Sequence, residues 1–541
     1  MKITLIASIS TVLATACVQG IGAVAQGFEP PDFNVFQALL DKGVDITSLP
    51  QLSNPTGGHG NGSCSQACGV LELLYGSSDV LSRQSSAYDG FTSSYWSAQQ
   101  GAVDPCCVFK PSTALQVSIV VLIARLTQCP FVVKGGGHAA FAGASSIEDG
   151  ITISMERLNR IVVSPDRNVS DIGPGNHWVD VYSTLEKQNL TVIGGRISGV
   201  GVPGLILGGG ISFFSNKYGW ACDNVASYEV VTASGAIVTA SSTSYPDLYW
   251  ALRGGGNNFG IVTNFKLHTY AQGLMWGGQR IALNESFPAV LDAIHNFAIT
   301  YSDQDPDAAQ IVSFGYTEGC GALAAIQIEY AKPISNASVF NEINAIPAVQ
   351  STTGIHTLSE LTIMMNEGIV YGARETYWGV SFKVNRELFT YLVDTFYKFL
   401  PRIIDAKGLL PVISIQVITE GQLKGMQKNG GNALGLEPAG GPYFIMNMGS
   451  NWNETADDAR ILEFNAKVIG LVKEKAKQLR ADNDFIYMNY ASQFQDVVAG
   501  YGAENKAKLI EVSKKYDPTG VFQILQPGYF KLEGAPNSTV P

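Results

Sequence analysis

The chain is poor in charge for its length, and what it lacks removes several function classes. Charged residues make up 15% of its 541 positions, and Lys plus Arg (35) fall short of Asp plus Glu (46), for a formal net charge of -11. No basic run is present that could track a phosphate backbone, so nucleic acid is not an expected partner. There is no Cys-x-x-Cys pair and no His-x-x-x-His, so no metal site is expected. Neither a G-x-S-x-G elbow nor a P-loop occurs, which leaves hydrolase and nucleotide-hydrolysing readings without an anchor. Beyond the N-terminus, no stretch is long and apolar enough to span a bilayer.

What is present begins with a leader. Met1-Lys2 is followed by an apolar run from Ile3 to about Ala16 and then by small residues ending in Ala23-Val24-Ala25. This pattern predicts a secretory signal peptide over residues 1–25, with no membrane association after its removal. Seven Asn-x-Ser/Thr sequons, at Asn61, Asn168, Asn189, Asn284, Asn336, Asn453 and Asn537, fit a secreted, N-glycosylated protein. Without Cys17 seven cysteines remain, an odd number that leaves at least one free thiol. The five between Cys64 and Cys129 are expected to form one or two disulfides, with the connectivity open.

A chain of this size exceeds what one core accommodates, so two or three domains are expected. Residues 26–102 are rich in Gly, Ser, Asn and Pro, with one short helical pattern near Val35 to Leu40, and read as an extension packed on the first domain. From there helix and strand alternate: helical Leu115 to Thr127, a strand before Lys134, a strand Gly150 to Ser154, and helical His177 to Asn189. Glu229 to Thr239 reads as a hairpin about Ser234-Gly235, and Tyr245 to Leu252 as a helix opened by Ser244 and Pro246. Past Tyr270, strand-like Ile326 to Tyr330, Trp378 to Phe382, Val412 to Ile418 and Tyr443 to Met448 alternate with helical Phe287 to Tyr301, Arg386 to Phe399 and Asp457 to Gln478. The expected class is α+β, its second part a mostly antiparallel sheet covered by helices.

The segment Phe131-Val-Val-Lys-Gly-Gly-Gly-His138 carries the most chemistry. Glycines let backbone N–H groups converge on phosphate oxygens, and the imidazole can ligate, move protons or bond covalently. Two further glycine clusters, Gly199 to Gly210 and Gly254 to Gly260, could share one extended ligand with it. In an acidic chain a bound phosphate would need backbone amides and a few cations such as Lys134 or Arg253. Gly199-Val-Gly-Val-Pro-Gly204 spells G-x-G-x-x-G with Asp223 some way on. A nicotinamide-binding unit is rejected because that loop should open a helix, where Gly208-Gly-Gly210 would each cost about 1 kcal/mol.

Together these residues resemble a known family. Lys134-Gly-Gly-Gly-His138 with Gly143-Ala-Ser-Ser, Gly173-Pro-Gly175 with Trp178, the Gly199 to Gly210 loop, Lys217-Tyr-Gly with Asp223-Asn-Val225, and Trp250 to Thr263 are similar to the FAD-linked oxidases of the vanillyl-alcohol-oxidase superfamily. Tyr487-Met-Asn-Tyr490, Tyr501-Gly502 and Tyr516-Asp-Pro-Thr-Gly-Val-Phe522 resemble the closing signature of its berberine-bridge-enzyme-like branch, especially the fungal members. The resemblance runs from about Cys64 to Leu532. It implies a PCMH-type FAD-binding domain in two pieces, residues 103–271 and 484–541, enclosing a substrate domain at 272–483.

By this resemblance His138 bonds covalently to the flavin 8α-methyl. Ile197 stands where doubly linked relatives have cysteine, which implies a single histidyl link. Cofactor contacts are implied for Lys134, Gly135, Gly136, Gly137, Ala139, Gly143, Val200, Gly201, Gly204, Gly208, Gly209, Gly210, Asp223, Asn224, Gly260, Ile261, Val262, Tyr487 and Asn489. A small residue such as Val200 goes with reactivity toward dioxygen. The expected activity is that of a monomeric oxidase passing a hydride from an alcohol, amine or specialised metabolite to FAD, with O2 reduced to hydrogen peroxide. Tyr487, Tyr490 and Gln416 are the candidate catalytic residues, and a tyrosine of lowered pKa the expected base. An oligosaccharide oxidase, a dehydrogenase or cyclase of the same fold, and a flavin-loaded protein without turnover are the alternatives.

Overall fold

The computed structural model describes residues 28–45 and 62–537. The leader over residues 1–25, its cleavage site and the sequon at Asn61 lie outside the described residues. Three sheets organise the chain. The first has four strands in the order Val80–Ser82, Cys107–Phe109, Ile151–Ser154, Phe131–Lys134, parallel apart from its first pair. The second is antiparallel and runs Ile161–Val163, Val169–Ile172, Ile261–Ala271, Val225–Val231, Ile237–Ser241, with Leu190–Val192 also paired to the long central strand. The third, of nine strands, is antiparallel and includes Met275–Leu283, Gly321–Tyr330, Ala308–Thr317, Leu410–Ile418, Tyr443–Trp452 and Arg374–Lys383, in that spatial order.

Local sequence explains the helices that cover these sheets. Thr113 caps helix Ala114–Thr127 by accepting from Gln116 N, and Gln128 in the left-handed region (φ 53°) ends it before Pro130. All residues from Val117 to Arg125 are buried, because this helix lies between the first two sheets and the N-terminal segment. Asn385 caps Arg386–Phe399, whose Leu388, Phe389, Leu392, Val393 and Phe396 recur at helical spacing and pack into the core under the nine-stranded sheet with Ile461, Phe464 and Val468 of Asp458–Gln478.

Two local expectations are corrected. The second glycine cluster does open a helix, Val202–Leu207, with Pro203 in its first turn where a missing N–H costs nothing; it stops at Gly208, so Gly209 and Gly210 fall outside. The strand before it, Leu190–Val192, pairs antiparallel with Ile261–Ala271, so it is no part of a parallel dinucleotide-binding unit. Helix Pro246–Leu252 starts from Tyr245 in a left-handed conformation (φ 50°) and lacks a side-chain cap from Ser244.

Residues 28–45 and 62–102 are tied to the first sheet by covalent and ionic links. Cys64 bonds Cys129 and Cys68 bonds Cys107, leaving Cys106, Cys222 and Cys320 free. Glu29 and Arg125 form a buried bidentate pair. No helix among the described residues is long and apolar enough to cross a membrane. The Cys64–Cys129 bridge closes a sequence separation of 65. Replacing both cysteines by serine is expected to lower the free energy of unfolding by about 4 kcal/mol, from the loop entropy restored to the unfolded chain. Denaturant titration measures this; an unchanged midpoint would show that the bridge contributes nothing.

Candidate functional site

The first glycine loop leaves the buried strand Phe131–Lys134 and reverses at Gly137 (φ 70°). Its carbonyls are held from behind by the N-terminal segment. Trp96 N donates to Gly137 O at 3.2 Å, while Ser97 Oγ and Gln100 Nε2 donate to Ala139 O at 2.9 and 2.7 Å. The amides of Gly136 through Ala140 donate to no protein acceptor among the described residues. Loop carbonyls fixed on one side and amides left on the other make an anion-binding concavity. His138 is half-buried and stacked on Trp96 at 4.2 Å between ring centroids, and its enclosed Nε2 has no partner among the described residues. Burial pushes its pKa down to about 4, so the ring is neutral and its free nitrogen available.

The second loop meets the first without intervening side chains. A Cβ on Gly136 would lie 2.5 Å from Gly201 N and 2.7 Å from its Cα, a contact only two glycines permit. The third loop joins them where Gly256 N donates to Leu207 O at 3.0 Å. All three loops line one cavity of about 240 Å³. Gly135 to Ala139, Val200, Gly201, Gly204, Gly208, Gly260, Ile261, Val262, Tyr487, Asn489 and Tyr490 are among its walls.

At one end of the cavity lies a polar constellation. Tyr490 OH accepts from Arg196 Nη2 and from Gln416 Nε2, each at 2.8 Å, and Arg196 also donates to Gln416 Oε1 at 2.8 Å. Arg196 and Tyr377 line the cavity, whereas Gln416 stands behind them on strand Leu410–Ile418. Tyr487 OH accepts from Gly210 N, Ile211 N and Asn489 Nδ2 at 3.1, 3.3 and 3.0 Å. Burial, followed by the neighbouring Tyr490, raises the Tyr487 pKa far above the usual tyrosine range. This reverses the lowered pKa expected of a tyrosine base at Tyr487. Three donors fix its oxygen as a brace for the second loop.

Several residues proposed from sequence stand elsewhere. Lys134 reaches away toward Ser94 Oγ and lies 4.8 Å from the centroids of both Phe91 and Tyr95, its pKa lowered to about 8 by burial. Arg253 Nη1 and Nη2 donate to the carbonyls of Lys428 and Asn429. Neither is a cavity cation. Asp223 accepts from Trp220 N and Asn432, and Asn224 joins Tyr218 O, Trp220 O and Tyr270 OH, so both brace a turn. Gly143, Gly209 and Gly210 also stand off the cavity wall. Sequence reasoning missed Arg196, Trp96, Gln100 and Tyr377. Only Arg196 carried a usable signal, a cation directly after Gly194-Gly195 and beside the second loop.

Comparison with known proteins agrees with this geometry. A family described as "FAD binding domain" matches residues 105–241. The chain is 36% identical over 494 residues to the FAD-dependent monooxygenase tpcD of Cochliobolus heterostrophus, covering 87% of this chain and 95% of that protein. It is 31% identical to the bifunctional solanapyrone synthase of Alternaria solani, covering 85% and 88%. Its fold matches xylooligosaccharide oxidase from Myceliophthora thermophila C1 (TM-score 0.70, 20% identity, 88% of this chain and 99% of that one) and 6-hydroxy-D-nicotine oxidase from Arthrobacter nicotinovorans (0.69, 19%, 84% and 97%). The residues present fit FAD: amides without protein acceptors belong to residues of the cavity wall, glycines admit close approach, and a neutral imidazole offers an unpartnered nitrogen. Gly136→Ala should force the first two loops apart, lowering stability by about 1–3 kcal/mol and reducing flavin content per chain. Thermal unfolding and the ratio of visible to ultraviolet absorbance read both effects; parent-like values would show that the loops do not meet there.

Proposed function

The chain belongs to the PCMH-type FAD-dependent oxidoreductases, and from that premise we propose that it is an oxidase acting on a small organic substrate with an oxidisable O–H or N–H carbon. The observation that carries this reading is the Tyr490 oxygen, set at one end of the glycine-lined cavity with two donors directed at it. FAD, when bound, supplies the hydride acceptor and the route by which electrons reach O2 to give hydrogen peroxide. His138 would hold the cofactor through a single covalent link, since Ile197 offers no thiol. The first-loop amides would face its phosphates, offsetting charge that Lys134 and Arg253 cannot reach.

Tyr490, as its phenolate, would take the substrate's O–H or N–H proton and become the neutral phenol. Gln416 and Arg196 occupy two directions around its oxygen, so the third is open to the cavity, and the guanidinium stabilises negative charge on an adjacent oxygen. Gln416 is an amide and orients Tyr490 without acting as a base. Tyr487 and Asn489 hold the second loop and the cofactor in register. Gly208, where a Cβ would strike the Asn489 amide, lets these parts close.

Apolar walls from Ile197, Val200, Leu207, Ile211 and Tyr377 suit a hydrophobic metabolite better than an oligosaccharide. The proposed division assigns residues 103–271 and 484–541 to the cofactor and 272–483 to the substrate. The leader pattern and the exposure of Asn168, Asn189, Asn284, Asn336, Asn453 and Asn537 support secretion with N-glycosylation, as a monomer.

Tyr490→Phe is expected to slow anaerobic flavin bleaching by substrate about 10²–10⁴-fold while leaving flavin content unchanged. Stopped-flow absorbance over a substrate panel, with peroxide release in air as the second readout, makes the test. Parent-like bleaching in Tyr490→Phe would remove Tyr490 from the proposed role, and bleaching that air does not reverse would mark a dehydrogenase.

A further inference from the structure

Arg196 is a cation on the cavity wall without a carboxylate partner at hydrogen-bond distance. Its Nη2 bonds are to Gln416 and Tyr490, and its Nε and Nη1 make no hydrogen bond among the described residues. The carboxyl that feels its charge is Glu329, on strand Gly321–Tyr330. In the sheet Glu329 lies between two small residues, Gly277 and Ala309, one row away on the same face from Ile311, the partner of Gln416. It is fully buried, takes a short hydrogen bond from Gln327 Nε2 at one oxygen, and has no partner at the other. Burial raises its pKa to about 8, against the opposing effects of the Gln327 bond and the Arg196 charge.

Tyr182 donates to Gly195 O, and burial raises both Tyr182 and Tyr487 far above the usual range, so neither supplies an anion. Among the described residues no carboxylate is hydrogen-bonded to the guanidinium, within a protein of net charge -11. A partly enclosed cation of this kind costs free energy until an anion pairs with it, and the planar donor fork suits an ionised oxygen.

We infer that Arg196 is a specificity-determining residue whose free Nε and Nη1 anchor an ionised oxygen of the substrate, as in a carboxylate, phenolate or enolate. This rests on the proposed reading that the cavity holds substrate beside Tyr490.

The test uses the FAD-loaded enzyme with benzoate and its neutral counterpart benzyl alcohol, reading perturbation of the flavin absorbance band. Benzoate should bind at least about ten-fold more tightly than benzyl alcohol near neutral pH, and Arg196→Gln should erase that preference. Equal affinity for the two probes, no response to either, or a preference that survives Arg196→Gln would overturn the anchor. If benzoate binds through Arg196 yet Tyr490→Phe turns over normally, the proposed chemistry falls and the anchor stands.

Discussion

The site depends on one contact between two stretches of bare backbone, Gly136 against Gly201. Each occupies the space where the other's Cβ would sit, so the first and second loops pack at main-chain distance and leave their outer edges to one cavity. From that contact follows the placement of His138, two residues after Gly136, in the same cavity wall as Val200 and Ile197. The C-terminal segment closes the arrangement from the far side, with Tyr487 pinning Gly210 and Ile211 while Asn489 fills the space beside Gly208.

Two features turn this scaffold into a place for an anionic cofactor in an acidic protein. The N-terminal segment, fastened to the first sheet by two disulfides, takes up the loop carbonyls through Trp96, Ser97 and Gln100, which leaves amides for the ligand. Burial then keeps His138 neutral, and a neutral imidazole nitrogen is the form that can act as a nucleophile. At the other end, Arg196 donates to the Tyr490 oxygen, so a guanidinium and a tyrosine hydroxyl share one stretch of the cavity wall.

Much of this was legible in the chain. Helices such as Ala114–Thr127 and Arg386–Phe399 followed from apolar spacing, because that signal is local. The three glycine loops were visible for the same reason. Long-range contacts were not. Trp96 and Gln100 come from a segment with no periodic pattern, and nothing nearby in sequence tells that they back the loop at Gly137 and Ala139. Lys134 misled because strand direction, which a single sequence does not fix, turns it toward Ser94 and away from the glycines that follow it. The six-residue helix after Gly201 was hidden by glycines that lie just beyond its end.

The central claim is that successive glycine bends hold a flavin which His138 fastens to the chain. Denaturing the purified protein in acid and mapping its proteolytic peptides by mass tests it directly. The account predicts that the yellow colour stays with the precipitated chain and that the peptide containing His138 carries the added mass of FAD. Colour released wholly into the supernatant, together with an unmodified His138 peptide, would contradict it.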